Sequence, residues 1–190
     1  MLPGGEIGQG FGRVVQVAYL VEDIDEAMQH WLAQAGLGPW TCYRNIELDA
    51  EFEGKPLTLH IHEALAYMGE LQIQLVQSLD PPSAATPYQP YLRERRFGIH
   101  HLAFFSHDFD ADLARARQQG FGRICEMRDS VGNRYAYCGS QALPDVWIEL
   151  LGVYPELTRI FQDGIAAAAA WKGDEPITRI EYADIQASMA

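Results

Sequence analysis

One stretch of this chain is written twice, and it constrains the fold more than anything else in the sequence. Val14-Val-Gln16-Val-Ala18-Tyr-Leu-Val-Glu-Asp23-Ile-Asp25 aligns without a gap on Ile99-His-His101-Leu-Ala103-Phe-Phe-Ser-His-Asp108-Phe-Asp110. Gln16 falls on His101, Ala18 on Ala103, Asp23 on Asp108 and Asp25 on Asp110. In both copies an apolar run leads into an acidic helix start. In both, a polar side chain able to hold a metal ion stands inside the run, where a core strand would carry Val or Ile. Such a chain is expected to fold as two copies of one module arranged around Gln16 and His101.

The remaining pattern fits that expectation. After a glycine-rich lead-in over 1–12, residues 14–21 read as a buried strand. Asp23 and Glu26 form a capping box for a helix reaching about Ala35, with Ile24, Met28, Trp31 and Leu32 on one face. Gly36, Gly38 and Pro39 stop it. Strands follow at 40–48, 57–67 and 70–77, separated by a polar loop over 49–56 and a tight hairpin turn at Met68-Gly69. Pro81, Pro82, Pro87 and Pro90 make 80–96 a linker, with room for a short helix near 90–95. The order then repeats, with a strand at 98–105, a helix at 108–119 and strands at 123–128, 134–138 and 145–152.

The expected fold class is α+β: two paired β-α-β-β-β modules, 13–79 and 97–153, forming a curved mixed sheet around a central cleft. Residues 154–190 add a C-terminal helix and tail. The helical spacing of 154–171 carries only a partial apolar face, which places that helix outside the fold or on a partner subunit. Residues 177–182 read as an added strand.

The last strand of each module repeats the oddity of the first. Leu71-Gln-Ile-Gln74 matches Val146-Trp-Ile-Glu149, so Gln74 aligns with Glu149. If the modules pack by pseudo-twofold symmetry, Gln16, Gln74, His101 and Glu149 converge. A buried Glu and His need compensation, because desolvating a charge costs several kcal/mol or shifts its pKa. A divalent ion is one form of compensation. One nitrogen and three oxygen donors suit Zn, Ni, Co, Mn or Mg rather than copper or an iron–sulfur cluster. Taken singly, each residue is better explained as a hydrogen-bonded strand residue than as a ligand; the fourfold coincidence across the repeat is what favours a metal. Neighbours on a strand face opposite ways, so only one of His100 and His101 is expected inside.

Net charge closes off other classes. At −12 over 190 residues the chain lacks the cationic surface that nucleic acid or an anionic membrane requires. No apolar run approaches a membrane span, and the N-terminus lacks the basic and apolar regions of a signal peptide. Cys42, Cys125 and Cys138 are odd in number and lack zinc-type spacing, so a reducing, cytoplasmic setting is expected.

The motifs beginning at Gln16 and at Gly98, with Gly132-Asn-Arg-Tyr-Ala-Tyr and Trp147-Ile-Glu149-Leu, resemble the vicinal oxygen chelate superfamily over about 14–153. That superfamily includes glyoxalase I, methylmalonyl-CoA epimerases, extradiol dioxygenases and bleomycin-resistance proteins, and the epimerase-like and glyoxalase-like members look nearest. The resemblance implies a metal held by Gln16, Gln74, His101 and Glu149. It also implies removal of a proton α to a carbonyl, with the metal holding the enolate. A single imidazole departs from the two-histidine pattern of the Fe(II) dioxygenases.

A base is available. With the turn at Met68-Gly69, Glu63 stands opposite Gln74 and shares its face of the sheet. A register slip would turn Glu63 out and His60 and His62 in. A glutamate at the matching place resembles the proposed base of epimerase-like members, and Glu149 is the second candidate. Arg134 and Arg128 are candidates for an anionic group of the substrate, and Trp40, Tyr43, Phe105, Tyr135 and Trp147 for an apolar lining. The implied activity is a metal-dependent isomerase, epimerase or lyase on a small carbonyl compound, in a homodimer. The alternative is a metal-free protein that binds and sequesters a small molecule.

Overall fold

The hydrogen bonding of eight strands returns to where it starts. In the computed structural model, which describes residues 10–189, β1 (Gln16–Leu20) lies parallel to β4 (Leu71–Ser78) and antiparallel to β5 (Gly98–Ser106). From β4 the sheet passes to β3 (Lys55–Met68) and β2 (Trp40–Phe52). From β5 it passes to β8 (Leu143–Gly152), β7 (Arg134–Ser140) and β6 (Arg123–Arg128), and β6 joins β2. The mixed sheet is therefore curved into a barrel-like closed arrangement, which leaves few strand edges exposed. A ninth strand, β9 (Ile177–Glu181), pairs in parallel with the first part of β2. Residues 1–9, most of the glycine-rich lead-in, lie outside the described residues.

α1 (Ile24–Ala35) and α3 (Phe109–Gln118) follow β1 and β5. Asp23 accepts from the Glu26 N–H at 2.9 Å and Asp108 from the Ala111 N–H at 3.1 Å, so both copies of the repeated Asp cap their helix in the same way. Ile24 and Met28 pack against Trp40 and Leu75, whereas Phe109, Leu113 and Ala116 pack against Ala136 and Leu150. α2 (Gln89–Glu94) stands in the proline-rich linker. α4 (Pro155–Ala170) and α5 (Tyr182–Met189) flank β9; α5 was not expected from the residues. Among the described residues no helix is long and apolar enough to cross a membrane.

Three local expectations are corrected. Residues 49–56 are not a loop: β2 runs to Phe52 and β3 starts at Lys55, joined by Glu53-Gly54 with φ 52° and 75°. Two positive φ values match the twist of the strands they join. Glu47, Asp49 and Glu51 are simply the outward half of an alternating strand whose inward half includes Ile46 and Phe52. The β3–β4 turn is Gly69-Glu70, one residue later than expected, so Met68 pairs with Leu71. Finally, β5 is bulged. Ala18 pairs with His101 and Tyr19 with Ile99, leaving His100 as the extra residue.

Of the two places expected for the C-terminal helix, α4 takes the first and packs on the outside of this chain's own barrel. Phe161 of α4 joins Tyr67, Val15 and Leu151 in a buried cluster, and Gly164 lies flat on the Tyr67 ring. A Cβ at 164 would stand 2.0 Å from Tyr67 Cε2, so only glycine permits this approach. Gly164→Ala gains about 1 kcal/mol of helix propensity but forces α4 off the ring, and such overpacking costs about 1–3 kcal/mol. A net destabilisation is expected, measured as a lowered midpoint in denaturant at unchanged slope.

Candidate active site

Two alanines open the space in which the polar residues meet. Across β1 and β5, Gln16 pairs with Ala103 and His101 with Ala18. Ala18 also neighbours Gln74 on β4, and Ala103 neighbours Glu149 on β8. Each large polar side chain thus stands beside a methyl group, and all of them are buried: Gln16 at 3%, Gln74 at 7%, His101 at 0% and Glu149 at 5% exposed.

Polar atoms of three of them converge. His101 Nε2 lies 3.1 Å from Gln16 Oε1 and 3.0 Å from Glu149 Oε2. The Gln16 amide is oriented from behind: its Nε2 donates to Gln72 Oε1 at 2.5 Å, Gln72 Nε2 donates to the Tyr67 hydroxyl, and that hydroxyl donates to the Ile160 carbonyl of α4. Gln74 Nε2 donates to Glu63 Oε1. Gln74 Oε1 and Glu149 Oε2 are left buried without a hydrogen bond.

The bulge puts both histidines inside, against the expectation of one. His100 Nδ1 lies 3.0 Å from His101 Nδ1, and the His100 ring sits among Tyr88, Tyr91, Tyr137 and Trp147. With its proton on Nδ1, His101 donates to His100 and presents a bare Nε2 to the site.

Burial sets the charges. Desolvation pushes the His101 imidazole down to about 3, so it is neutral at physiological pH. Desolvation pushes the Glu149 carboxyl up to about 8. Glu63 is pushed up to about 7, first by desolvation, with the Gln74 hydrogen bond pulling it down and the Glu149 charge pushing it up.

A divalent ion fits this donor set. Separations near 3 Å are those of neighbouring donors on one ion with bonds of roughly 2.1 Å. A neutral imidazole, the oriented Gln16 amide oxygen and a Glu149 carboxyl oxygen present lone pairs there, and the unpartnered Gln74 oxygen is a fourth candidate. The amides matter to the count: among the described residues no three His, Cys, Asp or Glu side chains form a ready metal cluster.

Glu63 faces the same space. It pairs with Val76 and not with Gln74. The turn moved by one residue, which shifts the pairing by two, and a shift of two leaves every side chain on its own face. The cavity above these groups is about 500 Å³, with Gln16, Glu63, Gln74 and Glu149 in its lining and His101 behind them. Tyr43 and Tyr135 line it, whereas Trp40, Phe105 and Trp147 do not. Arg134 is elsewhere, bound to Asp110 at 2.8 Å and lying over the Phe109 ring; Arg128 is not in the lining either.

Sequence reasoning missed Gln72, Tyr67 and His100. Gln72 was accessible, since it stands two residues before Gln74 and a strand's period of two puts both on one face. His100 was not, because nothing in the residues announces the bulge.

Residues 15–137 match the family model described as Glyoxalase/Bleomycin resistance protein/Dioxygenase superfamily; Glu149 and the C-terminal elements lie beyond that span. A comparison with curated protein sequences finds no match. Among solved structures, methylmalonyl-CoA epimerase from Mycobacterium tuberculosis superposes with a TM-score of 0.51 at 24% identity, covering 77% of this chain and 91% of its own. A variant of the Streptomyces coelicolor methylmalonyl-CoA epimerase, in complex with 2-nitronate-propionyl-CoA, gives 0.47 at 20% identity, covering 77% and 97%. A hypothetical protein from Bacillus halodurans gives 0.47 at 13%, covering 75% and 94%. At these identities the likeness is one of fold.

Proposed function

Since this chain belongs to the Glyoxalase/Bleomycin resistance protein/Dioxygenase superfamily, we propose that it is a metal-dependent isomerase, epimerase or lyase that removes a proton α to a carbonyl. One observation carries the proposal: a half-buried carboxyl, Glu63, lines the same cavity as Gln16, Gln74 and Glu149 and is held there by the Gln74 amide. Gln16, Gln74, His101 and Glu149 would hold the ion, which when bound supplies the positive charge that stabilises an oxyanion next to the reacting carbon.

The rest is work for the chain itself. The Gln74 N–H occupies Glu63 Oε1 and leaves Oε2 for the substrate proton. A carboxyl pushed up to about 7 can take a proton and return it at neutral pH, which is where a general base is most effective. Gln72 and Tyr67 keep the Gln16 oxygen turned toward His101. Delivery of a proton to the opposite face by a second acid, for which Glu149 is the candidate, gives an epimerase, and return of the proton by Glu63 to a neighbouring atom gives an isomerase. Glu149 is the second candidate base. The equal strand order of 13–79 and 97–153, with the paired Asp caps, supports reading them as duplicated modules.

A metal-free binding protein is the second reading, favoured by the two neutral amides among the four donors. The full chain, stripped with chelator and reloaded with Zn, Ni, Co, Mn or Mg, separates the two. Metal-dependent incorporation of deuterium from D2O into a ketone is expected. Absence of both ion binding and exchange would leave the binding protein.

A further inference from the structure

We infer that α4, β9 and α5 form the substrate-selecting wall of the cavity, and that the cavity takes a carbonyl compound with a compact apolar body rather than a thioester on a phosphorylated carrier. The inference rests on the proton-transfer reading and names the substrate class for it.

The cavity has a polar floor and apolar sides. Above the floor, Ile46 and Ile61 of β2 and β3 form one side, and Leu157, Ile160, Ile180 and Ile185 of the C-terminal elements form the other. That second side is firmly built. α4 rests on the Tyr67 ring at Gly164 and receives the Tyr67 hydroxyl bond at the Ile160 carbonyl, 3.2 Å away. β9 is paired along β2 from Trp40↔Ile177 to Arg44↔Glu181, and Arg179 binds Asp25 at 2.6 Å. Tyr182, at the start of α5, accepts the Ser130 N–H at 3.3 Å across the opening.

Charge at the rim selects further. Arg159 is the only Lys or Arg among the described residues of the lining, and it shares the rim with Glu156 and Asp129 on a chain of net charge −12. A carrier with several phosphates needs several cationic partners, and the described residues of the lining offer one. A ketone with an alkyl or ring body needs none. Its carbonyl meets the floor, and its body gains from each methylene taken out of water, about fourfold in affinity per CH2. A cavity of about 500 Å³ suits a molecule of drug-like size. The wall also lies outside residues 15–137, the span that matches the family model, so its selectivity belongs to this chain.

The test is a binding series on the zinc-loaded full chain, with 2-butanone, 2-hexanone, 2-octanone and 2-decanone against propionyl-CoA. Affinity is expected to rise about fourfold per methylene, and 2-octanone to bind more tightly than propionyl-CoA. Ile180→Asn and Ile185→Asn should weaken binding by a factor that grows with chain length, reaching tenfold or more for 2-decanone. Should either fail to fold, Ile180→Ala and Ile185→Ala give the same trend at smaller size. A flat series, propionyl-CoA as the tightest ligand, or variants that leave the slope intact would each overturn the inference. A rising, wall-dependent series with no deuterium exchange on any ligand would retain the inference and sink the proton-transfer reading. Exchange on propionyl-CoA with a flat ketone series would do the reverse.

Discussion

Glu63→Gln is expected to lower metal-dependent proton exchange about 100- to 10,000-fold, the usual contribution of a positioned general base. Little else should change. Glutamine has the shape of glutamate, and its amide oxygen can still accept from Gln74 Nε2, so the Gln74 amide keeps its orientation. Ion affinity should therefore stay within a few-fold of wild type. Stability should not fall, because the replacement removes a carboxyl that burial has already pushed up to about 7 and whose ionised form is costly above that pH. Loss of exchange with intact ion binding assigns the base to Glu63. Exchange within threefold of wild type would transfer that role to Glu149.

The stabilisation that a divalent ion gives should grow with pH. In the folded chain Glu149 is raised from its ordinary 4.5 to about 8 and Glu63 from 4.5 to about 7, both by burial. A raised folded pKa means that the folded state binds more protons than the unfolded one. The stability contributed by the protonated carboxyls is fully present below about 4.5 and is lost as pH rises through 7 to 8. His101, lowered to about 3, and His100, also lowered by burial, act oppositely, removing stability as pH falls below 6.5. Between pH 6.5 and 8.5 the carboxyls outweigh the histidines, and the metal-free protein should lose about 2 kcal/mol. An ion on Glu149 compensates the charge, so the gap between zinc-loaded and chelator-treated melting temperatures should widen over that interval. Equal gaps at both pH values would argue against Glu149 as a ligand.

The gapless repeat made the order of strands and helices legible, because hydrophobic period and capping chemistry are local. The facing of Glu63 stood open between two registers, and the structure turns it into the cavity with a partner other than Gln74. A turn misplaced by one residue moves the pairing by two, and a sheet's alternation is blind to an even shift. The strand end at 49–52 was lost because Asp49 and Glu51 resemble loop residues by composition and strand residues by alternation. Other features were out of reach. The bulge at His100 depends on pairing between segments about eighty residues apart. The docking of α4 depends on Gly164 meeting Tyr67, and a glycine within an alanine-rich helix gives no sign of what lies against it.

The bulge also separates twins. The repeat sets His100 on Val15, and the two side chains have parted: Val15 packs with Phe161 and Leu151, whereas His100 stands behind His101 among tyrosines. No new element was needed to make one half apolar at this position and the other protonatable; one skipped rung in a ladder was enough. Duplication gives a chain two copies of the same wall. A single register defect lets one copy specialise while the other goes on bearing the roof.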